Sequence, residues 1–278
     1  MKVLDNKVCV VTGAGGVLCS SFAEKLAKNG AKVALLDLNK DAAQAVADKI
    51  NAEGGKAIAV GCNVLDKASL EAARTEVDAA FGKTNILING AGGNNPRGTT
   101  DKEYYEEGDL AIEGLKTFFD LDPDGIRFVF DLNFTGTLLT TQVFAKDMAE
   151  AKDGIIINIS SMNAFTPLTK IPAYSGAKAA ISNFTQWLAV HFAKVGIRVN
   201  AIAPGFFLTK QNEALLKNAD GSYTARSHKI LNATPMGRFG EADELLGTLM
   251  FLTDSTKSGF ITGVIIPVDG GFSAYSGV

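Results

Sequence analysis

Residues 155–178 read IIINISSMNAFTPLTKIPAYSGAK, and they decide the fold. Ile155–Ile159 is a short, β-branched apolar run, the pattern of a parallel strand buried on both faces. It empties into Ser160 and Ser161, and the end of such a strand is where wound α/β sheets place their chemistry. After a loop containing Pro167 and Pro172, Tyr174 opens a helix-compatible segment with Lys178 one turn beyond. Spacing of i,i+4 puts phenol and amine on one face, with Cβ atoms roughly 6 Å apart.

That pairing suits proton transfer. A free phenol titrates near 10, too high for useful acid-base work at neutral pH, and an adjacent ammonium is expected to lower it. Tyr174 then exchanges a proton with a substrate hydroxyl or carbonyl, while a nearby serine hydroxyl holds the same oxygen.

Ser161, followed thirteen residues later by Tyr174-x-x-x-Lys178, resembles the signature of the short-chain dehydrogenase/reductases. Ser161, not Ser160, is the matched serine. The likeness covers essentially the whole chain, and residues 159–209 look like the D-mannonate oxidoreductase (fructuronate reductase) branch. The resemblance implies a doubly wound Rossmann fold with a seven-stranded parallel sheet, an NAD-type cofactor, a homotetramer and a catalytic set of Asn133, Ser161, Tyr174 and Lys178.

Composition agrees with that outline. The 278 residues are 46% hydrophobic and 21% charged, with a net charge of −3, which gives no reason to expect nucleic acid or an anionic membrane as partner. Cys9, Cys19 and Cys62 stand in apolar settings without a C-x-x-C and read as reduced core thiols. His191 and His228 are far apart, so no metal site is expected. No stretch has membrane-spanning length and no signal pattern opens the chain, so the expected location is the cytoplasm.

Outward from the central stretch, strand and helix patterns alternate without linker or repeat, implying one domain over 1–278 with helices on both faces of the sheet. Lys7–Val11 is the first strand. It ends in Thr12, Gly13, Gly15 and Gly16, where the backbone can approach a pyrophosphate held by the N–H groups of a helix starting at Val17 and Leu18. The family pattern here is T-G-x-x-x-G-x-G, and Val17 and Cys19 stand in place of its later glycines.

Asp37 ends the second strand, Lys32–Leu36, and a carboxylate there accepts from an adenosine ribose and repels a 2′-phosphate, favouring NAD over NADP. A third strand, Lys56–Cys62, leads to Asn63-Val64 where the family has Asp-Val beside the adenine. The fourth, Asn85–Ile88, runs into Asn89-Gly90-Ala91-Gly92, which resembles the family's N-N-A-G with Gly90 replacing an asparagine.

Residues 93–131 are the least family-like part, and their length and polarity point to a substrate loop. Asn95 and Arg97 are its candidate contacts to a carboxylate or hydroxyls, Arg97 through paired donors. A long helix is expected over 131–148, carrying Asn133 in an NFTGTL match. In the family this asparagine holds a water linking the lysine to solvent.

Past the central helix, a sixth strand, Ile197–Ile202, ends at Pro204-Gly205, and with Phe207 and Thr209 it matches a P-G-x-x-x-T that covers the nicotinamide in the family. Residues 206–235 read as a substrate lid, with Arg226, His228 and Lys229 as further carboxylate partners. A helix near 241–252 and a seventh strand around Val264–Pro267 close the chain. Asn163, beside the serines, completes the substrate candidates.

The expected reaction is reversible hydride transfer between NAD(H) and a sugar acid, D-fructuronate and D-mannonate foremost. A gluconate 5-dehydrogenase type of activity is the alternative, followed by a non-catalytic NAD-binding sensor.

Overall fold

Seven apolar runs pair into one parallel sheet in the computed structural model, which describes residues 2–208 and 213–277. In chain order the strands are β1 (Val8–Thr12), β2 (Lys32–Asp37), β3 (Lys56–Gly61), β4 (Ile86–Asn89), β5 (Gly154–Ile159), β6 (Ile197–Pro204) and β7 (Ile265–Val268). Their spatial order is β3-β2-β1-β4-β5-β6-β7. Strand order therefore reverses between β1 and β4, where Val10 lies opposite Leu87. A crevice opens at the carboxyl ends of the strands at such a point.

Alternation along the strands divides the core in two. Cys9, Val11, Val33, Leu35, Ile86, Ile88 and Ile157 face one side. There they pack on α1 (Val17–Lys28) and α2 (Lys40–Ala52). Val8, Val10, Ala34, Leu36, Leu87 and Ile156 face the other. That layer packs on α3 (Lys67–Phe81) and on two later helices through Phe144, Met148 and Leu188. Burial on both faces explains why the strands read as unbroken apolar runs.

The substrate-loop region departs from expectation. Three single 3-10 turns occupy Pro96–Gly98, Asp109–Ala111 and Phe118–Asp120. A helix, α4 (Pro123–Phe130), then begins eight residues before the expected start at 131. Asp122 caps it by accepting from the Asp124 N–H at 2.8 Å, and Pro123 sits at its first position, where no N–H is needed. Helix α4 continues through a wide π turn, Asp131–Thr135, into α5 (Gly136–Ala151).

Helix α6 (Pro172–Phe192) follows β5 and carries Tyr174 and Lys178. Short helices α7 (Glu213–Leu216) and α8 (Ala225–Asn232) fill the expected lid, and α9 (Leu246–Thr253) and α10 (Ser255–Ser258) precede β7. No helix among the described residues is long and apolar enough to cross a membrane. The three cysteines are free and buried.

Candidate active site

At the crevice floor, Gly13 takes φ +65°, and a Cβ there would stand 2.9 Å from the Ala91 Cα. Only glycine lets the β1 turn sit this close to the end of β4. The Thr12 hydroxyl stitches the two together, accepting from the N–H groups of Gly90 and Ala91 at 3.1 Å each.

Beyond the turn, Gly16 caps α1 without a side-chain bond, so the N–H groups of Val17 and Leu18 gain no partner from the cap. Asp37 accepts from the Gly15 N–H and the Asn39 N–H, each at 2.9 Å, which fixes its carboxylate beside the glycine turn. Uncapped donors next to an anchored carboxylate fit a pyrophosphate and an adenosine ribose. The residues present therefore suit a dinucleotide.

Two of the departures from the family pattern, Cys19 and Gly90, prove to be one packing solution. A Cβ on Gly90 would come 2.2 Å from the Cys19 Sγ, so the cysteine fills the space that a larger residue at 90 would need. Burial drives the Cys19 thiol up to about 12, and it stays protonated.

Further along the rim, Asn63 is exposed, its Oδ1 accepting from the Leu65 N–H at 3.0 Å, while Val64 is buried against α5 beside Gly136. Asn89 turns its amide inward, donating to Thr141 Oγ1 at 3.1 Å and Asn158 Oδ1 at 2.9 Å, so its side chain steadies the sheet. Gly205 packs against Asp269, where a Cβ would meet the Asp269 Cα at 2.6 Å. The ring of Phe207 is buried against Gly240, and its backbone forms a parallel bridge to the same glycine. Thr209 lies outside the described residues.

On the opposite wall, Ser160 bonds Ser182 Oγ at 2.7 Å and donates to the Lys178 carbonyl at 3.2 Å, locking β5 to α6. Ser161 is the serine whose side chain acts on the Tyr174 phenol, and its Oγ accepts from the Asn163 N–H at 3.3 Å. Lys178 Nζ is buried and donates to the Ile159 carbonyl at 2.8 Å, and it lies 5.6 Å from the Tyr174 ring centroid. Asn163 is also buried, and its Oδ1 has no partner among the described residues.

Asn133 enters from the π turn. A π turn displaces the usual i,i+4 backbone bonding, and the Asn133 Nδ2 takes up the Val129 carbonyl at 2.7 Å. The same amide donates to the Gly93 carbonyl at 2.7 Å and accepts from the Gly93 N–H at 3.3 Å. A Cβ on Gly92 would stand 2.6 Å from Asn133 Oδ1 and 3.2 Å from Lys178 Nζ, so β4, the π turn and α6 meet around one glycine. With both Nδ2 hydrogens engaged, the side chain positions the loop after β4.

Two expectations fail here. Burial outweighs every other influence on Tyr174 and raises its phenol above the ordinary value; Ser161 lowers it, but not enough to reverse the shift. Burial also depresses the Lys178 amine to about 8, so the ammonium itself is the destabilised form. Second, Asn95 and Arg97 serve the loop. Asn95 Oδ1 accepts from the Arg97 N–H at 2.9 Å, and Arg97 Nε donates to Asp122 Oδ2 at 2.7 Å. The Nε–Nη2 edge of its guanidinium is thus already taken by Asp122.

A glycine-lined crevice at the strand-order reversal, facing a Ser-Tyr-Lys wall, defines an alcohol–ketone oxidoreductase, and the chain belongs to the short-chain dehydrogenase family, whose model, described as short chain dehydrogenase, matches residues 7–220. An uncharacterized oxidoreductase of Haemophilus influenzae is 62% identical over 99% of this chain and 96% of its own length. The Bacillus subtilis oxidoreductase UxuB, likewise uncharacterized, is 56% identical over 99% and 98%. A crystal structure of a candidate D-mannonate oxidoreductase from Haemophilus, with NAD bound, has a TM-score of 0.95 at 62% identity and covers 99% of this chain and 98% of that one.

Proposed function

We propose that this chain is an NAD-dependent oxidoreductase that interconverts D-fructuronate and D-mannonate. The observation that carries the chemistry is the meeting of Ser161, Tyr174, Lys178 and Asn133 at one end of the crevice. The NAD-bound Haemophilus structure, at 62% identity, supports the cofactor and the substrate class.

Thr12, Gly13 and the start of α1 would hold the pyrophosphate, Asp37 the ribose, and Asn63 with Val64 the adenine. Ala91, Gly92, Pro204, Gly205 and the Phe207 backbone would flank the nicotinamide. NAD(H), when bound, supplies or takes the hydride at the reacting carbon.

The protein's own groups manage the proton. Ser161 donates to the substrate oxygen and fixes it beside the phenol. Tyr174, kept protonated by its burial, hands its proton to that oxygen in the reducing direction. Lys178, at about 8, exchanges protons near neutral pH, and its ammonium returns a proton to the Tyr174 phenolate, becoming the neutral amine until solvent reprotonates it. Asn133 acts as a positioning residue, holding Gly93 and the end of β4. The free acceptor of Asn163 suits a substrate hydroxyl.

A homotetramer fits the outer face of α6, where Trp187 is 56% and Val190 80% exposed and Phe184, Trp187 and His191 stack in a row. Light scattering of the purified protein tests that assembly. Following NADH absorbance with D-fructuronate, 5-ketogluconate and neutral ketoses tests the activity. Reduction of D-fructuronate at least tenfold more efficiently than the others is expected, and preference for 5-ketogluconate would move the assignment to the gluconate type.

A further inference from the structure

With Arg97 tied to Asp122, an anionic substrate calls for another cation, and the structure gathers three around one cavity. A cavity of about 420 Å³ lies between the loop before α6, helix α8 and the chain after Gly205. Lys170, Arg226 and Lys229 line it together with one carboxylate, Glu103. Lys229 is engaged, its Nζ 2.8 Å from Glu103 Oε1. Lys170 and Arg226 make no side-chain hydrogen bond or ion pair among the described residues, although both act on Glu103 through space and help hold its carboxyl below the usual range, after the Lys229 hydrogen bond.

Their placement is also built rather than incidental. Lys170 is half-buried and sits at φ +71°, a left-handed conformation that a lysine adopts at a cost. Its carbonyl accepts from the Thr100 N–H at 2.9 Å, which clamps this loop to the arm over residues 93–122. Arg226 lies in the first turn of α8. The same cavity is walled by Ile171, three residues before Tyr174, and by Phe206, next to Gly205, so its walls are chain neighbours of the reacting tyrosine and of the Pro204-Gly205 turn.

We propose that Lys170 and Arg226 form the carboxylate clamp of the substrate, with Glu103 as a counter-charge that weakens anion binding and sets its strength. This rests on the sugar-acid reading of the site. In D-fructuronate the carboxylate lies four carbon–carbon bonds from the ketone carbon, which suits a clamp just outside the Ser161–Tyr174 pair. Three cations against one carboxylate leave the cavity net positive, and the bidentate fork of Arg226 matches a carboxylate.

Calorimetric titration of the protein–NADH complex, which cannot oxidise an alcohol, with D-mannonate, D-gluconate and the neutral polyol D-mannitol tests this without relying on turnover. The wild-type protein should bind the acids more tightly than the polyol. Arg226→Ala and Lys170→Ala should each weaken acid binding roughly 10- to 100-fold and leave the polyol within twofold, the range expected for losing a hydrogen bond to a charged group. Arg226→Lys should recover part of the loss, and Glu103→Gln should tighten acid binding several-fold, the opposite sign to a structural defect. Equal losses for acid and polyol, or no loss for the acid, would overturn the clamp. If acids bind through these residues but D-fructuronate is not reduced, the clamp stands and the substrate assignment fails.

Discussion

The wall made by β5 and α6 and the arm running from Gly93 to Asp122 face one cleft but are held by opposite means. Across the wall, buried polar groups bond over long sequence distances: Ser160 to Ser182, Lys178 to the Ile159 carbonyl, and Asn158 Nδ2 to Thr185 Oγ1 at 2.9 Å. Within the arm the bonds are mostly local, as where Thr117 and Asp120 cap each other and Lys102 reaches Glu106 and Asp109. Tyr104, Phe118 and Phe119 stand well exposed there. A wall fixed from many directions can hold reacting atoms to a fraction of an ångström, whereas a self-bonded arm can vary with the substrate without disturbing them.

The largest effect should come from the wall. Tyr174→Phe removes the proton donor, and turnover with NADH should fall about 10³-fold or more while NADH binding, followed by fluorescence, changes less than twofold. Retention of a tenth of wild-type turnover would separate the wall from the chemistry. Next is the joint between wall and arm. Asn133→Ala strands the Val129 and Gly93 carbonyls, and unfolding free energy in urea should drop by about 3 kcal/mol. A loss well below 1 kcal/mol would show that water replaces the amide and that the π turn holds itself.

The crevice floor yields the third test. Gly90→Asn forces a Cβ against the Cys19 sulfur and should cost about 2 kcal/mol as an overpacked site. Adding Cys19→Gly should recover part of that, a coupling read from the double-mutant cycle. Additive losses would mean that the two positions do not share one space.

The fourth probes the lysine by pH. The native Lys178 amine releases its proton near 8 and the unfolded chain near 10.5, so between those values the unfolded state binds more protons. Stability contributed by this group therefore rises with pH across that window, by up to about a kcal/mol per unit, and is lost as pH falls through 8. The difference between wild type and Lys178→Met in urea titrations should grow from pH 8 toward 10. A flat difference would place the amine in solvent.

Much of the wall was legible in the sequence because its signals are periodic or exact in spacing. Unbroken apolar runs announce doubly buried strands, and Ser161, Tyr174 and Lys178 stand at distances set by one loop and one helical turn. What was hidden depends on neighbours in space. Cys19 and Gly90 read as two separate losses from a family pattern, although each makes room for the other. Burial depth has no sequence spacing, so the sign of the Tyr174 shift could not be read from Lys178 alone. A π turn adds a residue within an otherwise helical pattern, which erased the junction at Asp131–Thr135, and the Asp122-Pro123 start of α4 was masked by the irregular stretch before it.

Arg97 gives the smallest expected effect and the sharpest test of the arm. From sequence it was a natural carboxylate partner, because its intended use and its actual one involve the same fork. Asp122 lies twenty-five residues away and reaches it only once α4 has formed and Gly125 has let the helix start approach, a Cβ there standing 2.5 Å from the Arg97 Cβ. An exposed pair of this kind contributes under about 1 kcal/mol. Arg97→Ala should therefore shift the urea midpoint only slightly and leave the KM for D-fructuronate within twofold, with kcat unchanged. A tenfold rise in KM at constant stability would move the carboxylate onto the arm and erase the division of labour between the two walls of the cleft.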